Sequence, residues 1–96
     1  MSKQYLIVIT GPVGGGKSTT AVSLAACLRN RGMTTAVVDL DHLYRMGRQH
    51  PDKWDEPEIS LAALRASGAL ADSFFASGLD AVVVEGEVFT ERVETK

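Results

Sequence analysis

Cysteine occurs once in these 96 residues, so no internal disulfide forms and covalent cross-linking is excluded as a source of stability. Long apolar runs are missing too. Tyr5–Thr10 (YLIVIT) is far short of a membrane span and too short for a signal-peptide core, so a cytoplasmic protein with no membrane partner is expected. There is no excess of positive charge, with ten Lys and Arg against twelve Asp and Glu and a net charge of −2. That balance argues against broad contact with nucleic acid or an anionic surface, although local positive charge can still serve one phosphate ligand. Repeats and low-complexity tracts are absent as well. What remains, 45% hydrophobic and 23% charged, reads as one small globular domain burying about two-thirds of its unfolded surface.

Against this plain background one stretch is unusual. ITGPVGGGKSTT, residues 9–20, sets three consecutive glycines against a lysine and a run of hydroxyls, directly after an apolar run. Glycine loses more conformational freedom on folding than any other residue, so a cluster of it marks a place where side chains would obstruct something.

The flanking periodicities place that stretch between a strand and a helix. YLIVIT is β-branched and aromatic throughout, the pattern of a strand covered on both faces in a parallel sheet. From Lys17 to Arg31 the period changes, with Ala21, Leu24, Ala25 and Leu28 at the spacing of an amphipathic helix that Gly32 ends. Cys27, beside Leu24 and Leu28, is expected to be a buried thiol. Thr35–Asp41 (TAVVDLD) predicts a second strand, followed by a polar, aperiodic stretch that reads as loop. Pro57 suits the first residue of a helix running to Gly78, bent or split at Ser67-Gly68. Asp80–Glu87 (DAVVVEGE) predicts a third strand. Alternating strands and helices in this order mean βαβ units with right-handed crossovers and parallel pairing, in a single domain.

Gly11-Pro12-Val13-Gly14-Gly15-Gly16-Lys17-Ser18 matches G-x-x-x-x-G-K-[ST] at every fixed position, between a predicted strand and a predicted helix. A phosphate needs several backbone N–H groups converging on it, and Gly11, Gly14, Gly15 and Gly16 permit that approach without a Cβ in the way. The following helix N-terminus adds unpaired donors and partial positive charge. Lys17 is expected on the β- and γ-phosphates, Ser18 on Mg²⁺, and Thr19 near the α-phosphate, with Thr20 a weaker candidate. The implied ligand is a nucleoside triphosphate.

Acids follow the second and third predicted strands. Ligands of open parallel sheets sit beyond the carboxyl ends of the strands. Asp39 and Asp41, two apart on a chain taken as extended, would face one site. One carboxylate could organise Mg²⁺ through water and the other accept a proton; alternatively, either one caps the next helix. Glu85 stands at the end of the third strand. His42 and His50 show no metal-ligand pattern.

With its phosphate loop and the Asp39-Leu40-Asp41 pair, the chain resembles the P-loop kinases of small molecules, of the adenylylsulfate kinase, gluconate kinase, polynucleotide kinase and zeta-toxin type, over residues 5 to 90. The resemblance implies a three-layer α/β fold with a parallel sheet, of which this chain supplies three strands in the order 2-3-1. It implies ATP and Mg²⁺ as cofactors and γ-phosphoryl transfer to the hydroxyl of a small acceptor. Lys17 and Asp41, as base, would be catalytic, with Asp39 the metal-side partner. Glu85 would join Ser18 and Asp39 around the metal, although aspartate is usual there. The segment His42–Asp55 would meet the acceptor, through Arg45, Arg48 and Lys53 if it is anionic and through Tyr44 and Trp54 by stacking.

The same resemblance implies five core strands and an arginine-bearing lid, neither completed here. The chain is therefore expected to be an N-terminal portion of a kinase, with its first strand open at the edge and able to form a homodimer there. Two alternatives stay open, a nucleotide-binding module without catalysis and an ATPase domain of another P-loop class. The ParA-like class is argued against by Pro12, which stands where that class wants a lysine.

Overall fold

The computed structural model describes residues 3–11, 16–53 and 55–86. Three strands and three helices follow one another along them: β1 (Tyr5–Ile9), α1 (Lys17–Asn30), β2 (Thr35–Asp39), α2 (Leu40–Gly47), α3 (Pro57–Ala76) and β3 (Ala81–Glu85). The strands pair in parallel in the order β1-β3-β2, so β3, the last of the described strands, lies between the first two. This is the three-strand 2-3-1 arrangement of the expected α/β fold.

The order also places the helices. The crossover from β1 to β2 and the one from β2 back to β3 run in opposite directions across the sheet. Right-handed connections therefore put α1 on one face and α2 with α3 on the other. Alternation along the strands agrees. Ala36, Val38, Val82 and Val84 share the face that packs on Leu40, Leu43, Ala71, Phe74 and Phe75. On the opposite face α1 packs on β2 and β3, and its Ala21 and Ala25 are fully buried. Every residue of β3 is buried.

Three local expectations need correction. β1 is not covered on both faces: Tyr5, Leu6 and Val8 are 47, 55 and 55% exposed, because β1 is an edge strand with β3 as its one neighbour among the described residues. Cys27 is exposed rather than buried, because the buried stripe of α1 is narrow and centres on Ala21 and Ala25. The stretch after β2 is not all loop, since residues 40–47 form α2, capped by Asp39. In addition, α3 continues through Ser67-Gly68 without a break; Ser67 is buried and donates its Oγ–H to the Leu64 carbonyl at 2.6 Å.

The amino ends of the strands are tied together. The Asp80 carboxylate accepts from the Thr34 N–H at 2.9 Å and from its hydroxyl at 3.1 Å. The Asp80 N–H donates back to Thr34, and the Tyr5 N–H donates to the Asp80 carbonyl. From that fixed base α3, about 30 Å long, outreaches strands of about 16 Å. Its first turns therefore project beyond the carboxyl edge of the sheet, alongside α2.

At that edge Gly86, with φ +147°, leaves no room for a side chain: an added Cβ would lie 2.6 Å from Leu40 Cβ and 3.5 Å from the Asp41 nitrogen. Gly86→Ala should lower stability by about 1–3 kcal/mol, the usual range for overpacking. Gly68→Ala, in α3 with nothing within 4 Å of the added methyl, should raise it by about 0.5–1 kcal/mol through helix propensity. Urea denaturation midpoints of the two variants check both signs, with unchanged m values showing that stability alone has moved.

Candidate functional site

Ile9, Glu85 and Asp39 stand level in the register, so the ends of all three strands form one row. β1 leads from that row through Thr10 and Gly11 towards α1. Pro12, Val13, Gly14 and Gly15 lie outside the described residues, as do the side chains of Lys17 and Ser18. Gly16 immediately precedes α1 in the left-handed region, at φ 78° and ψ 19°, a conformation open to glycine and strained for most other residues. No side chain caps α1 and no acid occupies its first turn. Among the described residues its first N–H groups thus lack intrahelical and side-chain acceptors, which suits an anion. Thr19 and Thr20 are exposed on that first turn.

Asp39 and Asp41 come together by a route other than the one expected. The chain turns helical at Leu40, so the alternation of an extended strand does not apply beyond Asp39. Asp39 Oδ1 instead accepts from the Asp41 N–H at 2.9 Å and the His42 N–H at 3.2 Å, as the N-cap of α2. Asp41 is half-buried in the first turn of α2, where a negative charge is favoured by the helix dipole. The acids are neighbours because one caps the helix that carries the other.

Glu85 is 3% exposed. Its register partners share its side of the sheet, so its side chain lies on the same face as those of Ile9 and Asp39. A magnesium ion takes oxygen ligands and keeps several waters and phosphate oxygens, needing only one or two protein carboxylates. Glu85 and Asp39 at the end of a parallel sheet fit that donor set. Among the described residues no group of three or more His, Cys, Asp or Glu could hold a metal, and no helix is long and apolar enough to cross a membrane.

The segment expected to meet an acceptor is a braced tip joining α2 to α3. Glu56 is 7% exposed, and its carboxylate accepts from the N–H groups of Gln49 and His50, each at 3.1 Å. Tyr44 is used structurally, its hydroxyl accepting from the Glu56 N–H at 3.1 Å. Arg48 is also committed, donating to the carbonyls of Pro51 and Lys53, with its Nε 4.0 Å from Glu56. Neither is therefore poised to contact a ligand, whereas Arg45, Lys53 and His42 remain exposed. Trp54 lies outside the described residues. Sequence reasoning missed Glu56, although an acid just before Pro57 at a helix start is a readable signal.

Comparison with protein families gives a match over residues 6–74 to CbiA, the CobQ/CobB/MinD/ParA nucleotide binding domain. The match runs from β1 through the phosphate loop to the last turns of α3. It gives no support to the small-molecule kinase type, and it removes the objection drawn from Pro12 alone. No curated protein matches the chain.

The braced tip has a pH signature. Burial works to raise the Glu56 pKa, but the His50 and Gln49 amides, with the charges of His50 and Arg48, outweigh it and hold the carboxyl below its ordinary value of 4.5. Stability from ionised Glu56 is thus fully present above 4.5 and is lost as pH falls through the lowered value. Glu56→Gln should be less stable than wild type at neutral pH, with a gap that narrows in acid. Chemical denaturation stepped downward from pH 4.5 checks this; a gap independent of pH would show that the charge of Glu56 does not brace the tip.

Proposed function

The chain belongs to the CobQ/CobB/MinD/ParA nucleotide binding domain family, and on that premise we propose that it binds ATP with magnesium at the carboxyl edge of the sheet and cleaves the β–γ phosphoanhydride bond. The observation that carries this reading is the row Ile9–Glu85–Asp39 beside an uncapped α1 preceded by left-handed Gly16. The triphosphate would lie against Gly11, Gly14, Gly15 and Gly16, since glycine lets backbone N–H groups approach a phosphate without a Cβ in the way. Lys17 offsets β- and γ-phosphate charge, and Thr19 lies near the α-phosphate. Ser18 and Glu85 would hold magnesium, with Asp39 acting through water from the oxygen not used in capping. When bound, magnesium neutralises charge developing on the transferred group. In hydrolysis water attacks the γ-phosphorus, the bond to the β-phosphate oxygen breaks, and ADP and inorganic phosphate leave.

A second reading transfers the same group to a hydroxyl of a small acceptor. It is favoured by Asp41, which the Asp39 cap fixes at the mouth of the α2–α3 arm, where a general base would accept the hydroxyl proton. The exposed Arg45 and Lys53 would then favour an anionic acceptor.

Calorimetry should show ATP affinity falling at least about tenfold, roughly 1.4 kcal/mol, in Lys17→Ala; unchanged affinity would remove the phosphate-loop assignment. Products separate the two readings. Phosphate release from ATP and magnesium without an acceptor supports hydrolysis, and Asp41→Asn should leave that rate near wild type. If turnover requires an added hydroxyl compound, and Asp41→Asn lowers kcat and kcat/KM together while ATP affinity holds, the transfer reading stands.

A further inference from the structure

Three parts of the carboxyl edge meet at Gly86. Its N–H donates to the Ile9 carbonyl at 3.1 Å, where β1 ends and the chain leaves for the phosphate loop. On its other side stands the start of α2. A Cβ built on Gly86 would lie 2.6 Å from Leu40 Cβ and 3.5 Å from both Leu40 Cα and the Asp41 nitrogen. That nitrogen carries one of the two N–H groups that hold the Asp39 carboxylate. Gly86 is itself buried and directly follows the buried Glu85. With no side chain at position 86, the end of β3 and the beginning of α2 sit in direct contact.

We propose that Gly86 is a positioning residue for the metal: its missing side chain sets how closely Asp39 and Glu85 approach the phosphate loop. This role presupposes the magnesium–ATP reading of the same edge. Magnesium fixes its oxygens near-octahedrally at about 2.1 Å and reaches further carboxylates through bound water. The water's own hydrogen bond is best at about 2.5–3.0 Å. A chain of such short links tolerates little displacement. Leu40 Cβ is the root of its side chain, so no rotamer change relieves a methyl placed 2.6 Å from it. Ordinary contact begins at 3.4 Å, and the two backbones must therefore part by about 0.8 Å. If α2 moves, Asp39 is drawn along with the Asp41 N–H that it accepts. If the end of β3 moves, Glu85 is drawn away and the bond to the Ile9 carbonyl stretches. Either way the carboxylates shift against the loop. Residues 11–18 would still hold the triphosphate, because residue 86 takes no part in that contact.

Manganese, whose binding is read by electron paramagnetic resonance, stands in for magnesium in the test. Gly86→Ala should bind metal-free ATP within about twofold of wild type, yet need at least about tenfold more manganese to fill the ATP complex. Val83→Ala loosens the fully buried middle of the same strand and should match wild type in both measurements, which separates position from lost stability. Hydrogen exchange on wild type should show the Asp41 and Gly86 amides slowing when metal joins the ATP complex, a readout that holds even if Gly86→Ala folds poorly. Wild-type metal affinity in Gly86→Ala overturns the proposal, and so do Asp41 and Gly86 amides that the metal leaves unchanged. An equal loss of metal affinity in Val83→Ala overturns it as well, by assigning the effect to stability. A wild-type chain that binds ATP no more tightly with metal than without overturns the magnesium reading itself, and this role with it.

Discussion

β3 runs between the two strands that precede it, and it is the one strand with no solvent on either face. Neither β1 nor β2 pairs with the other, so the sheet exists only through the backbone ladder that Ala81–Glu85 makes on both sides. The buried valines Val82, Val83 and Val84 supply the surface on which α1 and α3 close from opposite faces. Because the ladder is parallel and in register, its end brings together a strand leading to the phosphate loop, a buried glutamate and a helix-capping aspartate. The candidate site is a consequence of that alignment more than of any single side chain.

Asp39 shows how one residue ties chemistry to architecture. Its carboxylate starts α2 directly from the end of β2 with no intervening loop, and this brings Leu40 against Gly86 at the end of β3. The same short connection carries Asp41 to the edge of the sheet and sends α2 upward beside α3. Above it, Glu56 and Arg48 brace the turn between the helices, so the arm is built from hydrogen bonds to backbone rather than from a large apolar core.

Much of this was legible in the residues. The glycine-lysine-serine stretch between an apolar run and a 3.6-residue period indicated a phosphate loop, and the alternation of elements indicated a parallel α/β sheet. α2 was not read, although Leu40, Leu43, Tyr44 and Gly47 have helical spacing behind a capping aspartate. In Asp39-Leu40-Asp41 the same letters fit both an extended acid pair and a helix start, and only the geometry of Gly86 and the cap separates them. Covered faces for β1 were inferred from composition, yet composition cannot reveal that none of the described helices reaches across β1. The kinase resemblance rested on that acid pair, which is less specific than the loop, and the argument against the ParA-like class rested on Pro12 alone.

The central position of β3 between two strands that precede it also sets an order of events during folding. Tyr5 and Thr35 both take Ala81 as their partner, so no described strand pair can close until nearly all of these residues are available. Until then α1 can form but has no sheet to cover, and the apolar stretches of β1 and β2 remain unpaired. Contacts between residues so far apart in the chain bear the entropy of closing long loops before they return any stabilisation, which makes assembly slow and leaves its precursors prone to association. On the ribosome, β1 and β2 would wait as unpaired chain until Ala81–Glu85 emerges to join them.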